Sequence, residues 1–437
     1  MLSGVCRARR SRADEAQQDS CRTPPHSRVL AFDRYNAVVQ LVPVEAGGLR
    51  DGPLSGTAVA VKDLIDVAGL PTRCGSAVLA EAAPARADAA VVARLRALGA
   101  VVVAKTHTHE FAYGPTGDVA AEGPCHNPHD SKLITGGSSS GSAAAVAAGL
   151  VPLAVGTDTG CSVRTPAALC GVVGLKPACG ALPLTGVFPL SETCDHVGLL
   201  GIDVGTVAHA FGALIGRRID PSGSVAGVVV GRPTDPYWRV YDPEIAAAVD
   251  RAATALASAG ASLRELRLPG IDELAATYPV IVGAEAYATH ARWLAQRPGD
   301  YQPTTAARLR AAAEYTASDY VDAQRTRRRL TGELTDRLRT EGVDLLLLPT
   351  TPLRATPIGA EQVDAPDGTR VLVRPALLSL TLPFNLLGWP AVSVPGPGVP
   401  GLPAGVQIVA VRGGEQPALA AAALIAENPI ATAAGSR

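Results

Sequence analysis

Between Gly136 and Pro166 the chain reads GGSSSGSAAAVAAGLVPLAVGTDTGCSVRTP, two glycine-bearing turns that flank an alanine-rich run and a strand-like run. Tight glycine turns and helix N-termini leave backbone N–H groups pointing outward, which suits a phosphate or a developing oxyanion. A phosphate loop needs a lysine after its last glycine, and none follows here. GPGVPG at 396–401 has dinucleotide-loop glycine spacing, but it opens no helical pattern and reads as a proline-rich loop. The N–H groups of Thr159, Gly160, Cys161 and Ser162 fit an oxyanion hole better, because a hydroxyl closes that turn.

A serine hydroxyl is a weak nucleophile and needs a base. GSSSG at 137–141 fits the G-x-S-x-G elbow with Ser139 at its centre, but the preceding DSKLITG is a poor strand. No histidine follows His290 to complete a late triad. The other base available is a neutral lysine. Lys62 closes the apolar run GTAVAVK, where desolvation lowers an ammonium pKa from its usual value near 10.4. Asp63 points to the opposite face of such a strand and need not hold the proton in place.

Taken together, the lysine strand and the Gly/Ser block resemble the amidase signature family. KTHTHEFAYGPTG, HNPHD, CGVVGLKP, DHVG, GAEAYATH, LLLPTTP, FNLLGWPAVSVP and GLPAGVQIV occur in the family's order, so the resemblance spans roughly residues 30–430. It implies a Ser–Ser–Lys triad: Lys62 in AVKDLIDVAGLPT, Ser138 in GGSSSGS as a bridging serine on a cis peptide, and Ser162 in GTDTGCSVRTPA as nucleophile. By the same resemblance Thr157, Asp158 and Arg164 support the nucleophile turn. The implied reaction is hydrolysis of a carboxamide C–N bond through an acyl-enzyme, with neither cofactor nor metal.

The chain departs from the family pattern at Cys161, where glycine is usual. If that position needs a positive φ, the extra Cβ costs about 1–2 kcal/mol and weakens the oxyanion hole; otherwise the turn tolerates it. Cys161 as the nucleophile is a further alternative, and a silent binding protein is another. Cys179 and Ala181 in LKPACGAL replace an aromatic and a basic residue. A glutaminase subunit that hands ammonia to a partner would use the same triad. His107, His109 and Glu110 follow a strand and raise a metal-hydrolase reading, but later strands offer no further ligand set, so they read as capping and packing groups.

The elements that must position these residues alternate short Val/Leu runs with Ala/Arg helices. TAVAVKD, AVVVAKT and VPLAVGT read as strands, DAAVVARLRALG and SAAAVAAG as helices, and VLAFDRYNAVVQLV as helix then strand. VAGVVVGRP, DPEIAAAVDRAATALASAGA and SLRELRL form a further strand–helix–strand unit; residues 270–340 read as helical. Within them YVDAQRTRRRLTGELTDRLRTEG mixes Arg with acids at i,i+4 spacing, as a solvated helix face does. The expected fold is α/β, a large mixed, mostly parallel sheet covered by helices, with the site in the loops after its strands.

Composition agrees with this. Of 437 residues 47% are hydrophobic and only 4% aromatic, so the core is built from Ala, Val and Leu. A net charge of −1 gives no electrostatic case for nucleic acid or an anionic membrane, and the partner expected is a small-molecule amide. The sequence leaves oligomeric state open, a homodimer included. Eight cysteines without a CxxC pair read as reduced thiols, hence a cytoplasmic protein. No apolar run is long enough to span a bilayer. Residues 1–28, with Arg7, Arg9, Arg10 and Arg12 but no apolar segment after them, read as a polar, disordered tail and a poor signal peptide, and 29–437 as the amidase signature domain.

Overall fold

The computed structural model describes residues 33–43 and 50–427; the tail expected over 1–28 lies outside them. The main sheet has eleven strands. In chain order these are β1 (Val38–Leu41), β2 (Ala58–Lys62), β3 (Val101–Thr106), β4 (Leu153–Thr157), β5 (Val173–Lys176) and β6 (Val197–Gly201). The rest are β7 (Val229–Pro233), β8 (Ser262–Leu266), β9 (Leu345–Pro349), β10 (Ala391–Pro395) and β11 (Gly405–Ala410). Their spatial order is β1-β3-β2-β4-β6-β5-β10-β11-β9-β7-β8.

The large mixed sheet is as expected, and its parallel strands fall into two blocks. β3, β2 and β4 are parallel neighbours on one side, and β9, β7 and β8 on the other. The pairings between these blocks, from β4 through β6, β5, β10 and β11 to β9, are all antiparallel, as is the edge pairing of β1 with β3. β11, expected merely to complete the sheet, lies well inside it between β10 and β9.

The helices are α1 (Ala90–Ala97), α2 (Ser140–Ala147), α3 (Arg164–Cys170), α4 (Val204–Ile215), α5 (Pro243–Ser258) and α6 (Ile271–Gln296). After them come α7 (Pro303–Ala312), α8 (Ala317–Thr340), α9 (Val373–Ser379), α10 (Pro383–Leu386) and α11 (Glu415–Glu427). α5 shows why such segments are helical. Asp242 caps it by accepting from Glu244 N at 3.0 Å, and Pro243 occupies the first turn, where no N–H is needed. Ile245, Val249, Ala252 and Leu256 then form one buried stripe. α8 carries a Thr316–Asp319 capping box and buries Leu330, Leu334 and Leu338. Most of its arginines form the solvated face the spacing predicts, with Arg329 paired to Glu333 at 3.2 Å and Arg337 to Glu341 at 2.8 Å, while Arg327 turns inward to Leu386 O at 2.7 Å.

Strand alternation sorts side chains between the two faces. Val59, Val61, Leu345, Leu347, Val406 and Ile408 share a core with α1, α4, α5 and α11. On the other face Ala60 and Ala154 meet α2 and α3, and Leu346, Leu348 and Val409 meet α6 and α8. Lys62, two residues beyond Ala60, falls on the α2 side. No helix among the described residues is long and apolar enough to cross a membrane. The helix expected ahead of β1 is absent from its described part: residues 33–37 form a bend in which Asp33 accepts from Tyr35 N at 3.0 Å and Val38 N at 2.9 Å.

Candidate active site

Three loops meet where the parallel strands β2 and β4 end. Lys62 is the last residue of β2, and Thr157 the last of β4. The loop into α2 brings Ser138, and the loop from β4 into α3 brings Ser162. α2 can lie close to the sheet because its inner face is alanine. A Cβ on Gly141 would stand 2.2 Å from Ala37 O and 2.4 Å from His107 N, so only glycine allows that approach. The Gly137–Ser138 peptide bond is cis.

Lys62 Nζ donates to Ser138 Oγ at 2.6 Å and to Thr157 Oγ1 at 2.8 Å. All three residues are buried. Burial brings the Lys62 ammonium down to about 7, against the pull of Asp158 and Asp195. Asp63 is indeed turned away, paired with Lys105 at 2.6 Å. Thr157 thus holds the lysine itself, where the nucleophile turn was its expected partner.

Ser162 lies in the turn opposite. Ser139 N donates to Ser162 O at 3.1 Å and the Cys161 thiol to Gly137 O at 3.6 Å, so the two serine loops are tied back to back. No hydrogen bond joins Ser138 Oγ to Ser162 Oγ among the described residues. The N–H groups of Thr159, Gly160, Cys161 and Ser162 likewise donate to no acceptor among them. Cys161 is not one of the described non-glycine residues with positive φ, so its Cβ adds no left-handed strain. Burial pushes its thiol up to about 12, which keeps it protonated.

Asp158 and Arg164 form a clamp under that turn. Arg164 Nη2 meets Asp158 Oδ1 at 2.9 Å and Nε meets Oδ2 at 3.0 Å, while Asp158 also accepts from Val163 N. Burial opposes ionisation of Asp158, yet the guanidinium's charge and hydrogen bonds hold it well below the carboxylate range. Arg164 reaches further, to Gln407 Oε1 at 2.7 Å on β11 and Asn385 Oδ1 at 2.6 Å on α10. Asn385 and Gln407 lie in FNLLGWPAVSVP and GLPAGVQIV, motifs that show in the sequence without revealing this task. Asp195, in DHVG, accepts from Thr159 Oγ1 at 2.5 Å. Tyr278 stands over Gly160, where a Cβ would come 2.3 Å from its hydroxyl oxygen; no motif announces it.

The histidines do structural work. His107 Nδ1 bonds Ser140 Oγ and Nε2 bonds Gly123 O, both at 2.8 Å. His109 Nδ1 accepts from Gly117 N at 3.2 Å. No group of three metal-ligating side chains occurs among the described residues.

A cleft beside Ser162 is lined by Cys161, Thr159, Leu190 and Tyr278. It shares Tyr113, Tyr278, Arg374 and Leu378 with a cavity of about 340 Å³. A larger hollow of about 700 Å³ between Pro53, His209 and Arg217 shares no lining residue with either.

A buried lysine bonded to a serine, beside a second serine in a glycine-bearing turn, fits the amide-hydrolysing class that the sequence resembles. Comparison with known proteins agrees. Residues 40–419 match the Amidase family. The chain is 37% identical to AtzE, the 1-carboxybiuret hydrolase subunit of Pseudomonas sp. (strain ADP), covering 94% of this chain and 91% of that protein. It is 38% identical to the A subunit of the glutamyl-tRNA(Gln) amidotransferase of Symbiobacterium thermophilum, covering 84% and 81%. A crystal structure of an amidase superposes with a TM-score of 0.83 at 37% identity, covering 94% of this chain and 98% of that one. The chain belongs to the amidase family.

Proposed function

We propose that the protein hydrolyses a small carboxamide with Ser162 as nucleophile, Ser138 as proton bridge and Lys62 as base. The observation that carries this is the 2.6 Å contact from a fully buried Lys62, its pKa lowered to about 7, to the Ser138 hydroxyl. An amine that is half neutral at pH 7 accepts a proton from Ser138 as Ser138 takes one from Ser162. The Ser162 hydroxyl must come within hydrogen-bond reach of Ser138 for this transfer, and such bonds commonly tighten only when substrate is present.

Ser162 Oγ then attacks the carbonyl carbon. The unpaired N–H groups of residues 159–162 face the oxygen on which charge develops. The relay runs backward to protonate the departing amine, leaving an ester on Ser162. Water, deprotonated through the same bridge, releases the acid and restores the serine. The Asp158–Arg164 clamp and Asp195 hold the turn rigid while charge moves.

The test is turnover of a panel of aliphatic, aryl and ureido amides and glutamine. Ser162→Ala is expected to abolish it, and Lys62→Ala to reduce it roughly 10²–10⁴-fold. Full activity in Ser162→Ala would end this reading. Glutamine turnover that appears only with an added partner would favour the amidotransferase reading, which the likeness to the Symbiobacterium protein supports.

A further inference from the structure

Thr193 sits in the short turn that leads into β6, and two helices take up every polar group it has. Glu285 of α6 accepts from Thr193 N at 3.1 Å through Oε2 and from its hydroxyl at 2.8 Å through Oε1. Arg327 of α8 donates to Thr193 O at 2.9 Å through Nη2 and to the same hydroxyl at 3.0 Å through Nη1. The threonine therefore stands between an acid and a base that reach it from separate elements. Glu285 also accepts from Ser191 Oγ at 2.5 Å and Tyr320 OH at 2.8 Å, which fixes its carboxylate in place. Arg327 Nε goes on to Leu386 O at 2.7 Å, beside the Asn385 that donates to Asp158 O at 2.8 Å.

What this turn carries is Asp195. Ser191 O closes the turn by accepting from Cys194 N at 2.9 Å and Asp195 N at 2.8 Å, so residues 191–195 move together. Asp195 Oδ2 accepts from Leu190 N at 2.9 Å and Ser191 N at 3.0 Å, and Oδ1 takes the Thr159 hydroxyl. Thr159 opens the run of N–H groups proposed for the oxyanion. Direct contacts thus lead from two helices through Thr193 and Asp195 to that run. Neither Thr193 nor Glu285 nor Arg327 lines the cleft at Ser162 or the cavity that adjoins it. Half-exposed charges add little stability as a pair. Aimed together at one threonine they fix its position, and reacting groups must be held to within about 0.5 Å.

We propose that Thr193, Glu285 and Arg327 are positioning residues for the oxyanion turn, acting through Asp195 on Thr159. With the bridge in place, the Asp195 carboxylate holds the Thr159 hydroxyl and so the direction of its N–H. Without the bridge the 191–195 turn relaxes, and the N–H groups lose their aim at the oxygen that gains charge. The proposal rests on the Ser162 reading, because that aim matters only where Ser162 attacks.

The measurement is the rate at which a fluorophosphonate labels Ser162, with the labelled residue read by mass spectrometry. Thr193→Val removes the bridging hydroxyl at nearly constant volume and is expected to slow labelling roughly ten- to a hundredfold. Thr193→Ser keeps the hydroxyl and most of the rate. Glu285→Gln turns a donor toward the Thr193 N–H and slows labelling as Thr193→Val does. Circular dichroism identifies which variants fold, and either of those two suffices. Thr159→Val cuts the link to Asp195 and is slow by itself; adding Thr193→Val to it should slow labelling no further. A wild-type rate in folded Thr193→Val or Glu285→Gln, or losses that multiply in Thr159→Val/Thr193→Val, overturns the proposal. On any amide of the panel that turns over, the same variants should lower kcat more than they raise KM; a raised KM at unchanged kcat also overturns it. No label on Ser162 in the wild type would sink the nucleophile reading and this proposal with it, whereas label that ignores Thr193 sinks this proposal alone.

Discussion

In the proposed mechanism Lys62 acts as a base only when it has lost its proton, so burial would set the pH at which the site acts. With the ammonium brought to about 7, the neutral fraction grows as pH rises through that value. kcat/KM should therefore climb from about pH 6 to about 8 and then level off. Lys176, also buried, is brought to about 7 by burial and by Arg164, so the limb needs assignment. It should vanish from the residual activity of Lys62→Ala and persist in Lys176→Met. Cys161 makes a second residue-scale case. Its backbone is unstrained and its thiol protonated, so Cys161→Gly is expected to keep turnover on the amide panel; loss of all activity would show that the thiol matters. Lys62 and Ser162 are marked locally by an apolar strand end and a glycine turn, but their roles are read through the resemblance. Ser138 is legible only by resemblance, since three serines in a row offer equal claims. Tyr278 is not legible, because a lone tyrosine in a helical run gives no sign that it stands over Gly160.

Among the elements, the turn carrying Ser162 depends on one buried ion pair. Arg164→Met leaves Asp158 charged and buried without its guanidinium, and frees Asn385 and Gln407. A loss of about 3–5 kcal/mol in denaturant unfolding is expected, and a change under about 1 kcal/mol would refute the clamp. Gly141→Ala drives a Cβ into the backbone at Ala37 and His107, so it should cost about 1–3 kcal/mol and displace the Ser138 loop. The local units are readable from sequence: α5 between β7 and β8 follows from its cap and its stripe, and α2 from its alanines. Strand direction at the centre is not. β5, β6, β10 and β11 are short apolar runs, and whether such a run pairs parallel or antiparallel is set by the connections around it.

In the whole molecule, the proposed chemistry concentrates where a parallel block meets the antiparallel centre. β2 and β4 end there side by side, and Arg164 spans from that edge to β11, so the sheet's middle braces the Ser162 loop. On the proposed triad, purified protein is expected to hydrolyse its amide without a partner and unchanged by a chelator. Activity that disappears with chelation and returns with metal would contradict this. The measurement closest to the central claim is mass-spectrometric mapping of a fluorophosphonate adduct, with its rate followed across pH. The account predicts label on Ser162, forming faster as pH rises through about 7 in the wild type and slowly at every pH in Lys62→Ala. Label on Ser139 or Cys161, or a Ser162 rate indifferent to Lys62, would contradict it.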